Sequence, residues 1–259
     1  MFEYRFNSIN ENLKSIFDLL GITLVEEEIY GESSFLVYSR ESLDDFFVEN
    51  NLLFRKRTVS DTGWNEKWKE FLRPGKLTES VAYVFDEKDV IFYKKSIIIN
   101  PALAFGTGNH PTTKIAANLL EKVCFNRTVL DVGCGSGILS IFASISGAKE
   151  VYAFDNDPVA TLNARENILK NGCQNISLWA GEIQGLKIKT EVVVANIISS
   201  VLLSLKHELY NKFNNYLILS GILLSEKEIF LKDFMDESVS IVEEMTQNEW
   251  YGVLLERCI

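Results

Sequence analysis

Three glycines at alternate positions mark the stretch of the sequence that is best suited to hold a ligand. Gly133, Gly135 and Gly137 follow the apolar run 128–132 and come directly before an apolar, helix-like segment, 138–146. A tight turn from a buried strand into a helix leaves free N–H groups and the positive end of a helix dipole at the turn. Glycine lets the backbone approach a ligand where a Cβ atom would collide. The pattern therefore predicts a backbone cradle for a small ligand.

An acidic residue accompanies the glycines. Asp131 stands two residues before Gly133, and the spacing is Gly-x-Gly-x-Gly rather than the Gly-x-Gly-x-x-Gly of dinucleotide-binding proteins. An acid beside the turn suits a cation better than a phosphate group. The spacing resembles motif I of the S-adenosylmethionine-dependent methyltransferases, whose cofactor carries a cationic sulfonium and no pyrophosphate. We therefore predict that Asp131, Gly133 and Gly135 bind such a cofactor.

Polar side chains follow three further runs that have the apolar pattern of strands. Asp155 comes about 20 residues after the glycines, where an acid can accept both hydroxyl groups of a ribose. Glu182 follows the run 176–179, in a position to meet the edge of an adenine ring, and Asn196 ends the run 191–195. Because ligands bind at the carboxyl ends of parallel strands, we expect these residues to meet at one site.

The segment Asn100–Thr113 is predicted to be a loop that closes over a ligand. It combines two glycines, two prolines and three threonines with His110, and a helix is predicted over 114–122. Backbone amides and threonine hydroxyls in such a loop can donate hydrogen bonds. His110 precedes a proline, which is typical of a turn residue, and a direct functional role of its imidazole is the alternative.

Apolar periodicity places a small unit and a linker before this region. Residues 1–57 follow the order β-α-β-β-α-β, which predicts a ferredoxin-like α+β domain. They carry eleven acidic and six basic residues and no catalytic cluster, so we interpret them as a recognition module or a structural appendage. Residues 58–95 are predicted to form a linker, with Trp64 and Trp68 on one face of a helix.

The remainder alternates strands and helices. The linker ends in a predicted hairpin of Val81–Phe85 and Val90–Tyr93, and residues 96–259 are predicted to form a doubly wound, parallel α/β domain. Asp157 is expected to cap the helix that starts at Pro158. A helix is predicted over 202–210, and Ser225 with Glu228 is predicted to form a capping box for a helix that continues through Met235.

Composition narrows the choice of partners. The chain has 259 residues and a net charge of −10, which argues against direct nucleic-acid binding and permits a basic protein partner. No apolar run has the length of a membrane span, and the first residues do not resemble a signal peptide, so a cytoplasmic location is expected. Four cysteines without a Cys-x-x-Cys pair and only two histidines predict no metal site.

Four segments together resemble the PrmA family, which methylates the large-subunit ribosomal protein L11. They are Asn100–Thr113, Asp131–Leu139, Asp155–Pro158 and Val192–Ile197. The loop Phe-Gly-Thr-Gly-x-His-Pro-Thr-Thr is far more specific to this family than motif I. The resemblance implies a ferredoxin-like substrate-recognition domain, a linker and a Rossmann-like class I methyltransferase domain with a mostly parallel seven-stranded sheet.

The resemblance also implies the reaction and its residues. S-adenosylmethionine would be the methyl donor, and lysine ε-amines and the N-terminal α-amine of L11 would be the acceptors. Cofactor contacts would fall on Thr113, Gly133, Asp155 and Asn196, with Thr107 and Gly135 close by.

Methyl transfer requires the lone pair of the amine to point along the C–S axis, so positioning supplies most of the catalysis. An amine must first lose a proton, because the reference pKa of lysine is near 10.4. The side-chain carbonyl of Asn196 and the backbone carbonyl of Ile197 can accept N–H bonds and aim the lone pair. A carboxylate at position 196 would instead favour the ammonium form.

Other functions stay open at this point. An NAD-dependent oxidoreductase would share the glycine-rich turn, although the glycine spacing and Asp131 disfavour it. A class I methyltransferase could act on another protein or on a small amine. A non-catalytic binding protein is disfavoured by the presence of Asp155, Asn196 and the glycines together.

Overall fold

The computed structural model of the chain describes residues 2–7, 24–29, 32–39, 42–49, 52–58, 73–100 and 107–258. The chain divides into two compact units, Met1–Leu72 and Arg73–Ile259. The helix predicted within 13–20 and the helix that carries Trp64 and Trp68 lie outside the described residues, as does part of the predicted loop, 101–106. None of the described helices is long and apolar enough to cross a membrane.

The first unit contains a four-stranded antiparallel sheet. Its described elements are β1 Phe2–Phe6, β2 Leu24–Ile29, β3 Glu32–Ser39, α1 Asp44–Glu49 and β4 Arg55–Thr58. The strand order is β2-β3-β1-β4, so the first strand lies between the third and the fourth. All three pairs of neighbouring strands are antiparallel. The small antiparallel α+β domain expected at the start of the chain is confirmed.

An aromatic core explains why β1 alternates. Tyr4 and Phe6 point to the same face of the sheet and are fully buried. Both rings pack edge-on against Phe47 of α1, at centroid distances of 4.8 and 5.0 Å. The Tyr4 hydroxyl is satisfied as well, because it donates to Asp44 Oδ1 and accepts the Leu43 amide, each at 2.8 Å. The core of this unit therefore fixes the start of α1.

The second unit is built on a seven-stranded sheet. Its strands are β8 Thr128–Val132, β9 Glu150–Asp155, β10 Ile176–Ala180, β11 Thr190–Asn196, β12 Phe213–Leu223, β13 Val239–Gln247 and β14 Trp250–Arg257. They lie in the order β10-β9-β8-β11-β12-β14-β13. The first five in this order are parallel, and β14 is antiparallel to both of its neighbours. The mostly parallel seven-stranded sheet is confirmed.

Helices cover both faces of this sheet. They are α2 Pro111–Val123, α3 Ile138–Ile145, α4 Pro158–Lys170, α5 Ser199–Ser204, α6 Lys206–Tyr210 and α7 Lys227–Phe234. Val194 of β11 belongs to the hydrophobic core that contains Ile115 of α2. Its neighbours Val193 and Ala195 belong to the core on the other face, with Leu202 of α5. Burial on both faces explains why β11 is a continuous apolar run.

The hairpin predicted for Val81–Phe85 and Val90–Tyr93 is wrong. A small sheet forms instead from β5 Gly75–Lys76, β6 Ala82–Val84 and β7 Ser96–Ile98, and β6 and β7 are parallel. The segment between β6 and β7 contains a 3₁₀ helix, Glu87–Phe92. The Asp86 carboxylate accepts the Lys88 amide at 3.0 Å and caps this helix, so a local capping bond overrides the β-like composition.

Two helix predictions also need correction. The helix predicted at 202–210 is two helices, α5 and α6, which meet at Leu205. Helix α7 starts at Lys227 after a 3₁₀ turn at 224–226, and its N-cap residue, Glu226, makes no side-chain capping bond. The capping box expected from Ser225 is therefore wrong. The cap at Asp157 is confirmed, since its carboxylate accepts the Val159 amide at 2.8 Å.

Three asparagines tie the predicted loop to α4. The Asn171 side chain binds both backbone polar groups of Ile98 in β7. It accepts the Ile98 amide at 2.9 Å and donates to the Ile98 carbonyl at 2.8 Å. Asn167 accepts the Asn100 amide at 2.7 Å, and Asn163 donates to the Asn100 carbonyl at 3.2 Å. The spacing of four places the three side chains on one face of the helix. The stem of the loop is thus fixed by backbone contacts.

Candidate active site

A cavity of about 520 Å³ opens at the carboxyl ends of the parallel strands of the second unit. Eight predicted residues line it, in the order of the chain: His110, Thr113, Asp131, Gly133, Gly135, Asp155, Asn196 and Ile197. The prediction that strand ends bring these residues together is therefore matched by their positions. Two predicted residues, Thr107 and Glu182, are not part of the lining, and their contact with a cofactor stays a prediction.

The glycine-rich turn forms one wall of the cavity. Gly133, Gly135 and Gly137 have φ values of +68°, +54° and +79°, in the left-handed region that favours glycine. The turn leads directly into α3, so N–H groups at the start of this helix face the same end of the sheet. The Cys134 amide is not free, because it donates to the Phe154 carbonyl at 2.9 Å. That bond links the turn to β9.

Asp155 is held at the end of β9 by two backbone amides. One carboxylate oxygen accepts the Gly135 N–H at 2.8 Å, and the other accepts the Asp157 N–H at 3.0 Å. Each carboxylate oxygen can accept more than one hydrogen bond, so capacity remains for hydroxyl groups of a ligand. The carboxylate is thus fixed in position and still able to bind.

Asp131 lies deeper in the cavity and has a different environment. It is only 1% exposed, and the Ser140 hydroxyl donates to its carboxyl group at 2.5 Å. Burial raises the pKa of this carboxyl to about 7, and the negative charge of Asp155 acts in the same direction. A cation in the cavity would reverse this effect and favour the carboxylate.

Asn196 brings an unsatisfied acceptor to the cavity. Its side-chain NH₂ donates to the Thr113 hydroxyl at 3.3 Å. Its side-chain oxygen is buried and has no hydrogen-bond partner among the residues that the structure describes. A buried acceptor without a partner costs about 1–3 kcal/mol, so such an atom indicates a missing donor. An N–H group of a ligand fits this requirement.

His110 occupies the N-cap position of α2. Its Nδ1 accepts the Thr112 amide at 3.4 Å and lies 2.8 Å from the Thr112 hydroxyl oxygen. The imidazole packs edge-on against Trp250 at a centroid distance of 5.0 Å. Burial lowers the pKa of His110, although the nearby Glu249 carboxylate opposes the shift. His110 therefore acts as the turn residue that caps α2, and it also lines the cavity.

Eleven residues of the lining were not among the predicted site residues, and two of them, Gly221 and Trp250, come from strands late in the chain. Trp250 starts β14, and Gly221 lies in β12 beside Ile197. In the sequence, Gly221 follows Ser220 after one apolar run and Trp250 precedes another, and neither pattern fixes the strand register. Among the described residues, no group of three or more His, Cys, Asp or Glu could hold a metal ion.

The fold and the strand-end cavity define the class of protein, a Rossmann-like methyltransferase, and similar proteins agree. A crystal structure of ribosomal protein L11 methylase from Lactobacillus delbrueckii subsp. bulgaricus is 32% identical, with a TM-score of 0.66, and the match covers 72% of this chain and 99% of that one. The model of the family "Ribosomal protein L11 methyltransferase (PrmA)" matches residues 23–257. The chain belongs to this family.

Two curated relatives carry the same family name. A ribosomal protein L11 methyltransferase from Streptococcus pneumoniae is 35% identical over 248 residues, which are 93% of this chain and 76% of the relative. Another from Streptococcus mutans is 37% identical over 223 residues, 83% of this chain and 70% of the relative. The similarity thus extends over most of the chain.

The buried carboxyl of Asp131 predicts a pH-dependent stability. Its pKa of about 7 in the folded protein lies above the ordinary value of 3.8. Its stabilising contribution is therefore complete below the ordinary pKa and is lost as the pH rises through about 7. We expect the cofactor-free protein to lose roughly 2–3 kcal/mol from this group between pH 5 and pH 8, measured by urea unfolding.

Asp131→Asn should remove this part of the pH dependence, because the amide stays neutral and can still accept the Ser140 hydroxyl. Asp233→Asn is the matched control, since Asp233 is exposed on α7 and outside the cavity. This control should keep the wild-type slope. An Asp131→Asn protein with the same slope would show that another group is responsible.

Proposed function

We propose that this methyltransferase transfers methyl groups from S-adenosylmethionine to lysine ε-amines and the N-terminal α-amine of ribosomal protein L11. The observation that carries the proposal is the buried side-chain oxygen of Asn196, which has no partner in the described part of the chain and belongs to a residue that lines a cavity built on a glycine-rich turn. Membership of the PrmA family supports the choice of protein substrate. Because the proposed substrate is a ribosomal protein, we place the enzyme in the cytoplasm.

The lining residues fit the chemical groups of S-adenosylmethionine. Asp155 has acceptor capacity for ribose hydroxyls, and the turn from Gly133 to Gly137 offers bare backbone for close approach. Asp131 gains from a positive charge nearby, because burial disfavours its carboxylate form. When bound, S-adenosylmethionine supplies an electrophilic methyl group on a cationic sulfur.

The acceptor amine is held by neutral oxygens. The side-chain oxygen of Asn196 and the backbone carbonyl of Ile197 accept its N–H groups and direct its lone pair into the cavity. Apolar lining from Ile138, Leu139 and Val201 disfavours an ammonium ion, so the neutral amine is preferred. A positioned nucleophile then needs little further activation, because orientation supplies most of the rate.

We further propose that residues 1–57 select the protein substrate, that 58–95 form a linker and that 96–259 carry the reaction. The first part has an excess of five acidic residues. Opposite charges steer association, which favours a basic protein over a nucleic acid as its partner.

Radiolabelled S-adenosylmethionine tests the substrate directly. Incubated with the full chain and purified ribosomal proteins, it should label L11, and mass spectrometry should place the added methyl groups on amines. Reaction mixtures should also contain ribosomal RNA and small amines as competing acceptors. Label in RNA or in a small amine, with none in any ribosomal protein, would refute the substrate assignment.

Asn196→Ala should lower kcat about 100-fold, which is the effect of losing one oriented hydrogen bond in a transition state. The affinity for S-adenosylmethionine should fall far less than kcat, because Asp131, Asp155 and the glycine-rich turn, which supply the other proposed cofactor contacts, are unchanged. Asn196→Asp should also lower kcat and move its pH profile upward, since a carboxylate favours the ammonium form. Both constants come from steady-state kinetics and calorimetry.

Asn118→Ala is the matched control, because Asn118 lies on α2 outside the cavity and donates to the Lys114 carbonyl. It should retain kcat within twofold. Equal losses of turnover and cofactor affinity in Asn196→Ala would contradict a role in holding the amine.

Deletion of residues 1–57 should abolish methylation of L11 and leave the Kd for S-adenosylmethionine unchanged, because every described residue that lines the cavity belongs to the second unit. Calorimetry and the label assay measure the two properties separately. If the shortened chain still modifies L11 at the wild-type rate, the first unit does not select the substrate.

A further inference from the structure

Ile197 is confined between two glycines that come from different strands. Gly133 follows β8, and a Cβ atom on it would lie 2.9 Å from Ile197 Cγ2. Gly221 lies in β12, and a Cβ atom on it would lie 2.4 Å from the Ile197 carbonyl oxygen and 2.8 Å from the carbonyl carbon. Real Cβ atoms essentially never come closer than 3.0 Å to a heavy atom, so neither position accepts a side chain without displacing Ile197.

A break in strand pairing creates the contact at Gly221. In the ladder between β12 and β14, Ser220 pairs with Gly252 and Ile222 pairs with Tyr251, so Gly221 has no partner of its own. The break is a β-bulge, which bends a strand locally. Gly221 has a φ of +91° and packs against the backbone of Ile197.

The two glycines act on different parts of Ile197. A Cβ atom on Gly133 would meet the side chain of Ile197, whereas a Cβ atom on Gly221 would meet its backbone. The carbonyl group of Ile197 therefore occupies the space that a side chain at position 221 would need, and the Ile197 side chain occupies the space that one at position 133 would need. Asn196 itself pairs with Ser220, the residue before Gly221.

We propose that Gly221 and Gly133 are positioning residues, which hold the Ile197 carbonyl where it accepts the amine of the protein substrate. The inference rests on the proposed function, because it gives this carbonyl a partner in the reaction. It also assigns Gly133 a second role. Besides leaving room for a cofactor, this glycine couples the cofactor turn to the acceptor side of the cavity.

Three single variants test the proposal in the full chain. Gly221→Ala should lower kcat for L11 methylation about 100-fold, since a misplacement near 1 Å has effects of this size. The Kd of the Gly221→Ala protein for S-adenosylmethionine should stay within threefold of the wild-type value. Gly133→Ala should also lower kcat. Gly172→Ala is the matched control, because Gly172 has a φ of +64° and nothing within 4 Å of the added Cβ. It carries similar backbone strain and should keep kcat within twofold.

The double variants separate the two contacts. Ile197→Ala removes the Cγ2 atom that a Cβ atom on Gly133 would meet, so Gly133→Ala should lower kcat by a clearly smaller factor in the Ile197→Ala protein than in the wild-type protein. Gly221→Ala should still cost about 100-fold in the Ile197→Ala protein, because the backbone carbonyl is unchanged. A purely structural role would make both glycine substitutions behave alike in this background.

The proposal is overturned if Gly221→Ala has the kcat of Gly172→Ala, or if its kcat and cofactor affinity fall in proportion. If Gly221→Ala does not fold, the comparison of Gly133→Ala with and without Ile197→Ala decides. A wild-type protein that labels no ribosomal protein would refute the proposed function instead. A crystal structure of Gly221→Ala then tests the position of the Ile197 carbonyl directly. Its oxygen should be displaced from the wild-type position. An unmoved oxygen would overturn the proposal.

Discussion

The common direction of five neighbouring strands is the constraint on which the site depends. Parallel strands bring their carboxyl ends to one edge of a sheet, and β8, β9, β11 and β12 there deliver Gly133, Asp155, Asn196 and Gly221 to one cavity. At this edge Val132 of β8 pairs with Phe154 of β9, and Asn196 of β11 pairs with Ser220 of β12. Residues far apart in the sequence thus become neighbours because their strands end together.

Three polar side chains at this edge have three different environments. Asp155 accepts two backbone amides, which stabilise its carboxylate in a fixed orientation. Asp131 has a single hydroxyl partner and is buried, which raises its pKa to about 7. Asn196 is neutral, and its side-chain oxygen accepts no hydrogen bond from any described residue. The cavity therefore offers a fixed anion, a carboxyl that responds to nearby charge and an uncharged acceptor, a combination that suits a cationic donor and an amine.

The features that could be predicted from the sequence depend on local chemistry. The glycines need their left-handed φ values whatever the rest of the fold does, and Asp157 caps the helix that it precedes. The prediction of a hairpin at 81–93 was wrong because Asp86 caps a 3₁₀ helix there. Such a helix can have nearly the same amino-acid composition as a hairpin. Gly221 and Trp250 were missed because their positions follow from the bulge and register of β12 and β14, and pairing between distant strands leaves no periodic signal.

The position of β14 has a consequence for the order in which the protein is made. This strand lies between β12 and β13, and Tyr251, Val253 and Leu255 are fully buried there. Because synthesis proceeds from the N-terminus, the glycine-rich turn leaves the ribosome long before β14, the strand that carries Trp250 of the cavity lining. Co-translational folding can therefore form the glycine-rich turn early. Trp250 reaches the cavity only late in synthesis, through contacts between residues that are far apart in the sequence. A nascent chain that stops before β14 would expose the edge of β12 to wrong partners.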